Sequence, residues 1–379
     1  MANHRNKSIL LFEPETKGHH LQYLQYLIED FLAGGFDVSV ASDRETDHAF
    51  QRLETAHPGL LAQTQQLNAR RGEDPLKAAA DCLEESGADE LFMCCLDEVT
   101  SSLFRKAVLG QRPPKALKGK ISGIFIRPRP LDPAEPASFN LNLKRAGMNK
   151  LLKEGWFKNI FLLDEFLTAD LQKQNFNARF HFLPDVAEAP SRVVSKEDAR
   201  AELNIPADQT VLLHFGTGTK RKGLPLVLEA LERVENPERF HLLVAGKQEE
   251  SIGALEGMIA TGRATLINRF VSEEETDTCF AAADWILLPY LDHYGASNVL
   301  ARAALANRPV IASDYHLLGQ RVTRYGVGLV FKNKSPNDLT SQLEKPECEP
   351  SRYAKGLTEY AARFTRARFI TPILQTFSH

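Results

Sequence analysis

Short apolar runs alternate with amphipathic segments along almost the whole chain, and this alternation predicts a parallel α/β protein. In the first half, residues 9–12 indicate a strand and residues 14–20 a loop. Apolar side chains then recur at helical spacing from Leu21 to Leu32, and Gly34 and Gly35 end the predicted helix. Further strands of this half are predicted at 36–41, 91–96, 121–126 and 160–163.

A second series of the same kind follows residues 184–191, a stretch rich in proline and alanine that we expect to link two domains. Ser272 with Glu275 predicts a capping box, and Ser335 before Pro336 predicts another helix start. The last segment, 351–377, is helical by pattern. Strands of this half are predicted at 211–215, 241–245, 265–270, 285–288, 309–312 and 327–331.

The two series predict two doubly wound, Rossmann-like α/β domains, one over residues 1–187 and one over residues 188–350. In such sheets ligands bind beyond the carboxyl ends of the strands. Two domains facing each other would therefore form a cleft, with a donor on one side and an acceptor on the other.

Composition excludes several classes of protein. The chain has 379 residues and a net charge of −3, so no global basic field draws it to nucleic acid. No apolar stretch is long enough to span a membrane, and the apolar run near the N-terminus is too short for a secretory leader. The cysteine count is odd and lacks a CxxC pair, so we expect reduced thiols in a cytoplasmic protein. The five cysteines are Cys82, Cys94, Cys95, Cys279 and Cys348.

Two loops of the second half combine features of an anion site. The first, 216–223, follows a predicted strand and contains glycines and three consecutive basic residues. Glycine lets a backbone approach a phosphate closely, and lysine supplies a mobile charge. A solvated turn is an equal alternative for this loop alone. The second loop, 293–298, precedes a short helix predicted from Ser297 to Ala306, whose N-terminal amides favour an anion. Ser297 as an N-cap is compatible with that role.

The order of these motifs resembles the donor-binding domain of retaining glycosyltransferases of the GT-B fold, in family 4 (glycosyl transferases group 1). The resemblance covers roughly residues 209 to 331. The matching pieces are Lys222-Gly223, Gly246, residues 270–275, residues 281–289, Gly295 and residues 308–314.

The resemblance implies a transferase that moves a sugar from a nucleoside diphosphate donor to a glycan, lipid or small-molecule acceptor, with retention of configuration. It implies neither a metal nor another cofactor, and a last segment, 351–379, that returns to the first domain. The residues implied to bind the donor diphosphate are Gly216, Lys222, Gly295, Ala296, Ser297, Asn298 and Val299. Those implied near the nucleoside are Gly246, Arg269, Phe270, Val271 and Arg302. Those expected near the transferred sugar are Gly18, His19, His20 and Arg127.

The chain departs from the family pattern at three positions. Tyr294 and Arg302 occupy the places of two glutamates, and Thr217 occupies the place of an arginine. An arginine cannot accept a hydrogen bond from a ribose hydroxyl, so donor recognition must differ. Arg302 or Arg221 could replace the missing phosphate contact. A non-catalytic relative that acts as a binding or scaffold protein is therefore the second hypothesis. An oxidoreductase is disfavoured because no GxGxxG follows the first strand.

Three features of the first half keep two interpretations each. Arg127 follows a strand and suits an anionic group, or it belongs to a stiff surface loop. The pair at 164–165 is interpreted as a helix cap rather than as a metal ligand. Residues 141–158 are basic and carry a helical stripe of apolar side chains, which suits docking on an anionic membrane surface. The alternative is a helix packed on the domain sheet with a solvated lysine face.

Overall fold

A computed structural model describes residues 6–15, 19–43, 49–70, 72–186, 189–249, 253–345 and 349–377. The chain forms two compact units. Unit 1 comprises Met1–Leu183 and Ala367–His379, and unit 2 comprises Pro184–Arg366. Unit 1 thus ends four residues before the boundary expected at 187, and the chain rejoins it at 367 rather than at 351.

Unit 1 is built on a parallel sheet of seven strands in the order β3-β2-β1-β4-β5-β6-β7. The strand order runs from β1 through β2 to β3 at one edge, and from β4 through β5 and β6 to β7 at the other. The switch point of this doubly wound unit therefore lies between β1 and β4. The strands are β1 (Ser8–Phe12), β2 (Asp37–Ser42), β3 (Gln65–Asn68), β4 (Glu90–Met93), β5 (Ile121–Phe125), β6 (Phe157–Leu162) and β7 (Arg179–Phe182).

The helices of unit 1 cover both faces of this sheet, as alternating crossovers require. They are α1 (His19–Ala33), α2 (Ala49–Ala56), α3 (Pro75–Ser86), α4 (Leu96–Val108), α5 (Phe139–Lys153), α6 (Glu165–Gln172) and α15 (Arg366–Phe377). Strand β4 ends before the cysteine pair that the sequence analysis placed inside it, because Cys95 is the N-cap of α4. Asp164 caps α6 by accepting hydrogen bonds from two helix amides, each 2.9 Å long, as the capping interpretation expected.

Helix α5 decides between the two interpretations of residues 141–158. Met148, Leu151 and Leu152 are fully buried, and Trp156 is almost so. Gly147 lies so close to α4 that an added Cβ would be 1.8 Å from the carbonyl oxygen of Phe104. The apolar stripe is therefore part of the core of unit 1 and is not available to a membrane. The described residues contain no helix that is both long and apolar enough to span a bilayer.

Unit 2 is built on a parallel sheet of six strands in the order β10-β9-β8-β11-β12-β13. Its switch point lies between β8 and β11, which are direct neighbours: Leu213 pairs with Ile286. The strands are β8 (Thr210–Phe215), β9 (Phe240–Ala245), β10 (Ala264–Ile267), β11 (Trp285–Leu288), β12 (Val310–Ser313) and β13 (Gly328–Phe331).

The helices of unit 2 begin where the local sequence indicates. Ser272 and Glu275 form the predicted capping box of α10, and Ser335 caps α13. The helices are α7 (Lys196–Glu202), α8 (Leu224–Leu231), α9 (Gly253–Ala260), α10 (Glu273–Ala282), α11 (Asn298–Leu305), α12 (His316–Tyr325), α13 (Pro336–Leu343) and α14 (Ala354–Ala361).

The predicted helix over 351–377 is divided between the two units. A 3₁₀ turn (Pro350–Tyr353) and α14 belong to unit 2, whereas α15 belongs to unit 1 from Ala367 onward. In unit 1, the ring of Phe369 stacks on Tyr23 with centroids 5.1 Å apart, and Phe377 packs edge-on against Phe31 and Phe92. The end of the chain thus completes the aromatic core of the unit in which it began.

Candidate functional site

The two loops singled out in the sequence meet at the switch point of unit 2. Loop 216–223 follows β8 and loop 289–297 follows β11. The amide of Leu291 donates a 2.8 Å hydrogen bond to the carbonyl oxygen of Arg221. Gly223 has φ 73°, and a Cβ on it would lie 2.1 Å from the carbonyl oxygen of Pro289. Only glycine allows the two loops to approach this closely.

Lys222 is held at its backbone and at its ammonium group. His214 is buried near the end of strand β8, and its Nε2 atom lies 3.0 Å from the carbonyl oxygen of Lys222. Burial lowers the pKa of His214 to about 4, so the imidazole is neutral at pH 7 and its N–H donates to that carbonyl. The ammonium of Lys222 lies 2.7 Å from the hydroxyl of Tyr290 and 4.2 Å from its ring centroid.

Arg221 points to the other end of the second loop. Its Nη1 atom lies 2.8 Å from Nδ1 of His293, and Nε2 of His293 lies 3.0 Å from the carbonyl oxygen of Ala296. The guanidinium carbon is 5.6 Å from the ring centroid of Tyr290. One aromatic pair, Tyr290 and His293, therefore contacts both cations.

Among the residues that the structure describes, no carboxylate compensates the charge of the three cations of the loop 216–223. In the described part of the chain, neither Lys220, Arg221 nor Lys222 forms an ion pair. Lys222 is only half-buried, and Lys220 and Arg221 are exposed. A cluster of like charges without a counterion attracts an anionic ligand.

Helix α11 adds its N-terminus to this cluster. It begins at Asn298 and ends at Leu305, and Ser297 is its N-cap residue with an extended backbone. Among the described residues, the Ser297 side chain accepts no hydrogen bond from the helix amides, so the capping contact expected of it is not formed. The amide of Leu300 donates to the carbonyl oxygen of Ser297, whereas those of Asn298 and Val299 remain available to an anion.

The backbone after β9, on the other side of β8 from β11, packs against the backbone after β8. Gly246, with φ 126°, follows β9, and a Cβ there would lie 2.4 Å from the carbonyl oxygen of Gly216. The Cβ position of Gly216 is in turn 3.4 Å from the ammonium of Lys222. Because neither glycine has a side chain, the two loops pack closely and the Lys222 ammonium lies over the backbone of Gly216.

Three of the residues predicted near the nucleoside, Arg269, Phe270 and Val271, lie beyond β10. Arg269 makes a two-pronged ion pair with Glu275, and this contact, with the amide of Ser272, lowers the pKa of Glu275 to about 2. The ring of Phe270 is 81% exposed, which leaves its face open to a planar ligand. Val271 is partly buried.

The two positions that depart from the family pattern have different surroundings. Arg302, in the first turns of α11, forms an ion pair with Glu273 at the start of α10. The exposed carboxylate of Glu273 is thus held beside the arginine that replaces a glutamate. Tyr294 is buried, with its ring 5.1 Å from that of His316.

The candidate residues of unit 1 lie at the carboxyl edge of its sheet. The Nδ1 atom of His20 lies 3.2 Å from the buried carboxylate of Glu13, at the end of β1. Arg127 follows β5, its side chain is exposed, and its amide donates a 2.8 Å hydrogen bond to Asp97. His19 begins α1, but its side chain, like Gly18, lies outside what the structure describes.

Sequence reasoning missed four residues that the geometry brings to this site, namely Tyr290, His293, His214 and Glu273. Tyr290 carried a usable signal, since it directly follows the proline that ends β11 and so stands at a strand's carboxyl end. His293 opens the loop 293–298 that the sequence singled out, but no role was predicted for it. His214 and Glu273 gave no signal, because each acts through a residue on a different loop or helix.

Comparison with known proteins gives a family match to part of the chain and matches of fold to the whole. Residues 209–345, which hold both loops, match the family glycosyl transferases group 1. No curated protein matches the chain in sequence.

The whole chain has the fold of GT-B glycosyltransferases. A glycosyltransferase from Rickettsia africae ESF-5 superposes with a TM-score of 0.70 at 12% identity, over 99% of this chain and 98% of that one. HepE of Anabaena, solved in complex with UDP, gives 0.69 at 14% identity, over 98% and 99%. WaaG, a glycosyltransferase involved in lipopolysaccharide biosynthesis, gives 0.63 at 17% identity, over 97% and 98%.

Proposed function

We propose that this protein transfers a sugar from a nucleoside diphosphate donor to a hydroxyl-bearing acceptor. The observation that carries the proposal is the contact between the loops after β8 and β11 at the switch point of unit 2. The contact supports the proposal because Lys222, bare glycine backbone and the uncapped start of α11 all belong to the segments that follow these two neighbouring strands. A diphosphate leaving group develops negative charge as the glycosidic bond breaks, and these groups stabilise that charge.

Uridine is the first base to test. HepE, at 15% identity to this chain, was solved with UDP-glucose, and the same protein was solved with UDP and glucose. The proposal extends to transfer with retention of the anomeric configuration, which the resemblance to family 4 implies. In that reaction positioning of the two substrates and stabilisation of the charge on the leaving diphosphate are the main demands on the protein.

Binding of UDP, GDP and ADP, measured by calorimetry, tests the site. Lys222→Ala should weaken the binding of the preferred diphosphate by about 10- to 100-fold, because a hydrogen bond to a charged group contributes roughly 1.5–3 kcal/mol. Lys355→Ala is the matched control, since Lys355 lies in α14 with its side chain 90% exposed. Equal affinities in both variants would place the nucleotide elsewhere.

Transfer itself is tested with the sugar nucleotide of the base that binds. Release of the nucleoside diphosphate in the presence of a panel of glycan and lipid acceptors would show turnover, and the NMR coupling constant of the new anomeric proton would show the configuration. The replaced family glutamates favour a second candidate, a GT-B protein that binds a nucleotide without transfer. Tight binding with no turnover across donors and acceptors would support that candidate.

A further inference from the structure

Two residues of the loop after β11, Tyr290 and His293, contact the cations of the loop after β8. We propose that His293 is a positioning residue that directs the guanidinium of Arg221 to the distal phosphoryl group of the donor. Arg221 is then a second diphosphate contact, in a chain where Thr217 occupies the place of the family arginine. This inference rests on the proposed function. It assigns Arg221 to the distal phosphoryl group and Lys222 to the inner one.

The hydrogen bonds define the state of the imidazole. Nε2 of His293 lies 3.0 Å from the carbonyl oxygen of Ala296, which can only accept, so this nitrogen carries the proton. Nδ1 is then an acceptor, and it takes an N–H of Arg221 at 2.8 Å. A neutral imidazole therefore orients the guanidinium without neutralising it.

The guanidinium keeps donors for a ligand. Arginine has five N–H donors, and in the described part of the chain the contact with His293 is the one side-chain hydrogen bond of Arg221. The side chain is exposed at the edge of the sheet, and the face of Tyr290 lies 5.6 Å from the guanidinium carbon. A guanidinium placed in this way can bind a phosphoryl group through two parallel hydrogen bonds.

The strand order indicates which phosphoryl group this is. Four of the five residues predicted near the nucleoside follow β9 and β10, on one side of β8, whereas His293 follows β11 on the other side. The fifth, Arg302 in α11, also follows β11, but its side chain pairs with Glu273, which follows β10. A nucleotide that lies along this edge with its base toward β10 has its last phosphoryl group toward β11. Lys222, above Gly216 at the end of β8, lies between the two and meets the inner part of the diphosphate.

Paired titrations with UDP and UMP, and with GDP and GMP, test the assignment in the full-length protein. Arg221→Ala should weaken diphosphate binding by about 10- to 100-fold and leave monophosphate binding unchanged. His293→Ala should show the same selectivity with a smaller loss, and it should add nothing in the Arg221→Ala background. His293→Asn should restore much of the affinity, because its side-chain oxygen can accept from Arg221 near the position of Nδ1.

The outcomes separate this inference from the proposed function. Equal losses for the monophosphate and the diphosphate, or additive losses in the double variant, would overturn the role of His293 and leave the site itself intact. A wild-type protein that binds none of these nucleotides would overturn both. Circular dichroism melts of each variant identify any loss of affinity that comes from unfolding.

Discussion

At the scale of single residues, the charge states in the candidate site depend on burial and on contacts between residues distant in the sequence. Lys222 could be named from its motif, because lysine followed by glycine after a strand is a local pattern. The neutral state of His214 could not, since it depends on complete burial and on a carbonyl eight positions away. The arginine–glutamate pair at 302 and 273 was equally hidden, because its members belong to different helices.

The depressed pKa of His214 makes stability depend on pH. Its folded-state value is about 4 against an ordinary 6.5, so between these values the unfolded chain binds a proton that the folded chain does not. Its contribution is therefore complete above pH 6.5 and is lost as the pH falls toward 4, by about 3 kcal/mol in all. His214→Gln keeps an N–H donor and does not titrate.

Urea unfolding at pH 7.5 and pH 5 measures this effect. The free energy of unfolding of the wild-type protein should fall by about 2 kcal/mol more than that of His214→Gln over this interval. Other buried histidines titrate in both proteins, so the difference between the two isolates His214. Parallel pH dependence would show that His214 is not held neutral by the fold.

At the scale of helices and strands, the apolar pattern found every strand of unit 2 and missed the two edge strands of unit 1. Each predicted strand is present with at least one end within two residues of the prediction, because buried parallel strands are short apolar runs. β3 and β7 were not predicted. Both are edge strands, and β3 has the sequence Gln-Gln-Leu-Asn, of which only Leu67 is buried. An edge strand with a single buried side chain gives little apolar pattern, so periodicity alone can miss it.

The approach of the loops after β8 and β11 depends on one glycine. Gly223→Ala would place a Cβ 2.1 Å from the carbonyl oxygen of Pro289 in a left-handed conformation, so the loops must separate. We expect loss of diphosphate binding together with a destabilisation of roughly 1–3 kcal/mol, typical of overpacking. Calorimetric titration and thermal unfolding of the variant measure the two effects.

A second glycine provides the control for this substitution. Gly257 lies within α9, where an added Cβ meets no atom within 4 Å. Gly257→Ala should therefore keep diphosphate binding and stabilise the protein by about 0.5–1 kcal/mol, since alanine favours a helix over glycine. If Gly223→Ala bound the nucleotide as tightly as Gly257→Ala, the contact between the two loops would not be needed for the site.

At the scale of the whole molecule, the chain forms two units, and each unit has its own hydrophobic core. The sequence indicated two α/β domains and a change between them near residue 187. The return of the last segment to the first domain was implied by the resemblance alone, because an amphipathic pattern gives a helix an apolar face without identifying the surface that covers it. The boundary at 366/367 follows instead from Phe369, Ile373 and Phe377, which are buried within unit 1.

This division predicts how fragments behave. Every residue that forms the candidate diphosphate site, from His214 to Arg302, lies in unit 2, and so does its apolar core from Leu212 to Tyr353. The fragment 184–366 should therefore fold and bind the same nucleoside diphosphate as the full chain, with comparable affinity in calorimetric titration. The same fragment with Lys222→Ala should lose that binding and is its matched control.

The complementary fragment 1–183 should behave differently, because it lacks α15. Replacing one buried phenylalanine by alanine costs about 3–5 kcal/mol, and α15 contributes two such rings, Phe369 and Phe377. Net stabilities of domains are only about 5–15 kcal/mol, so loss of the whole helix should leave fragment 1–183 unfolded or aggregated in circular dichroism and gel filtration. In the full chain, Phe369→Ala should lower the stability of unit 1 without changing nucleotide affinity. A stable, monomeric fragment 1–183 would contradict the assignment of α15 to the core of unit 1.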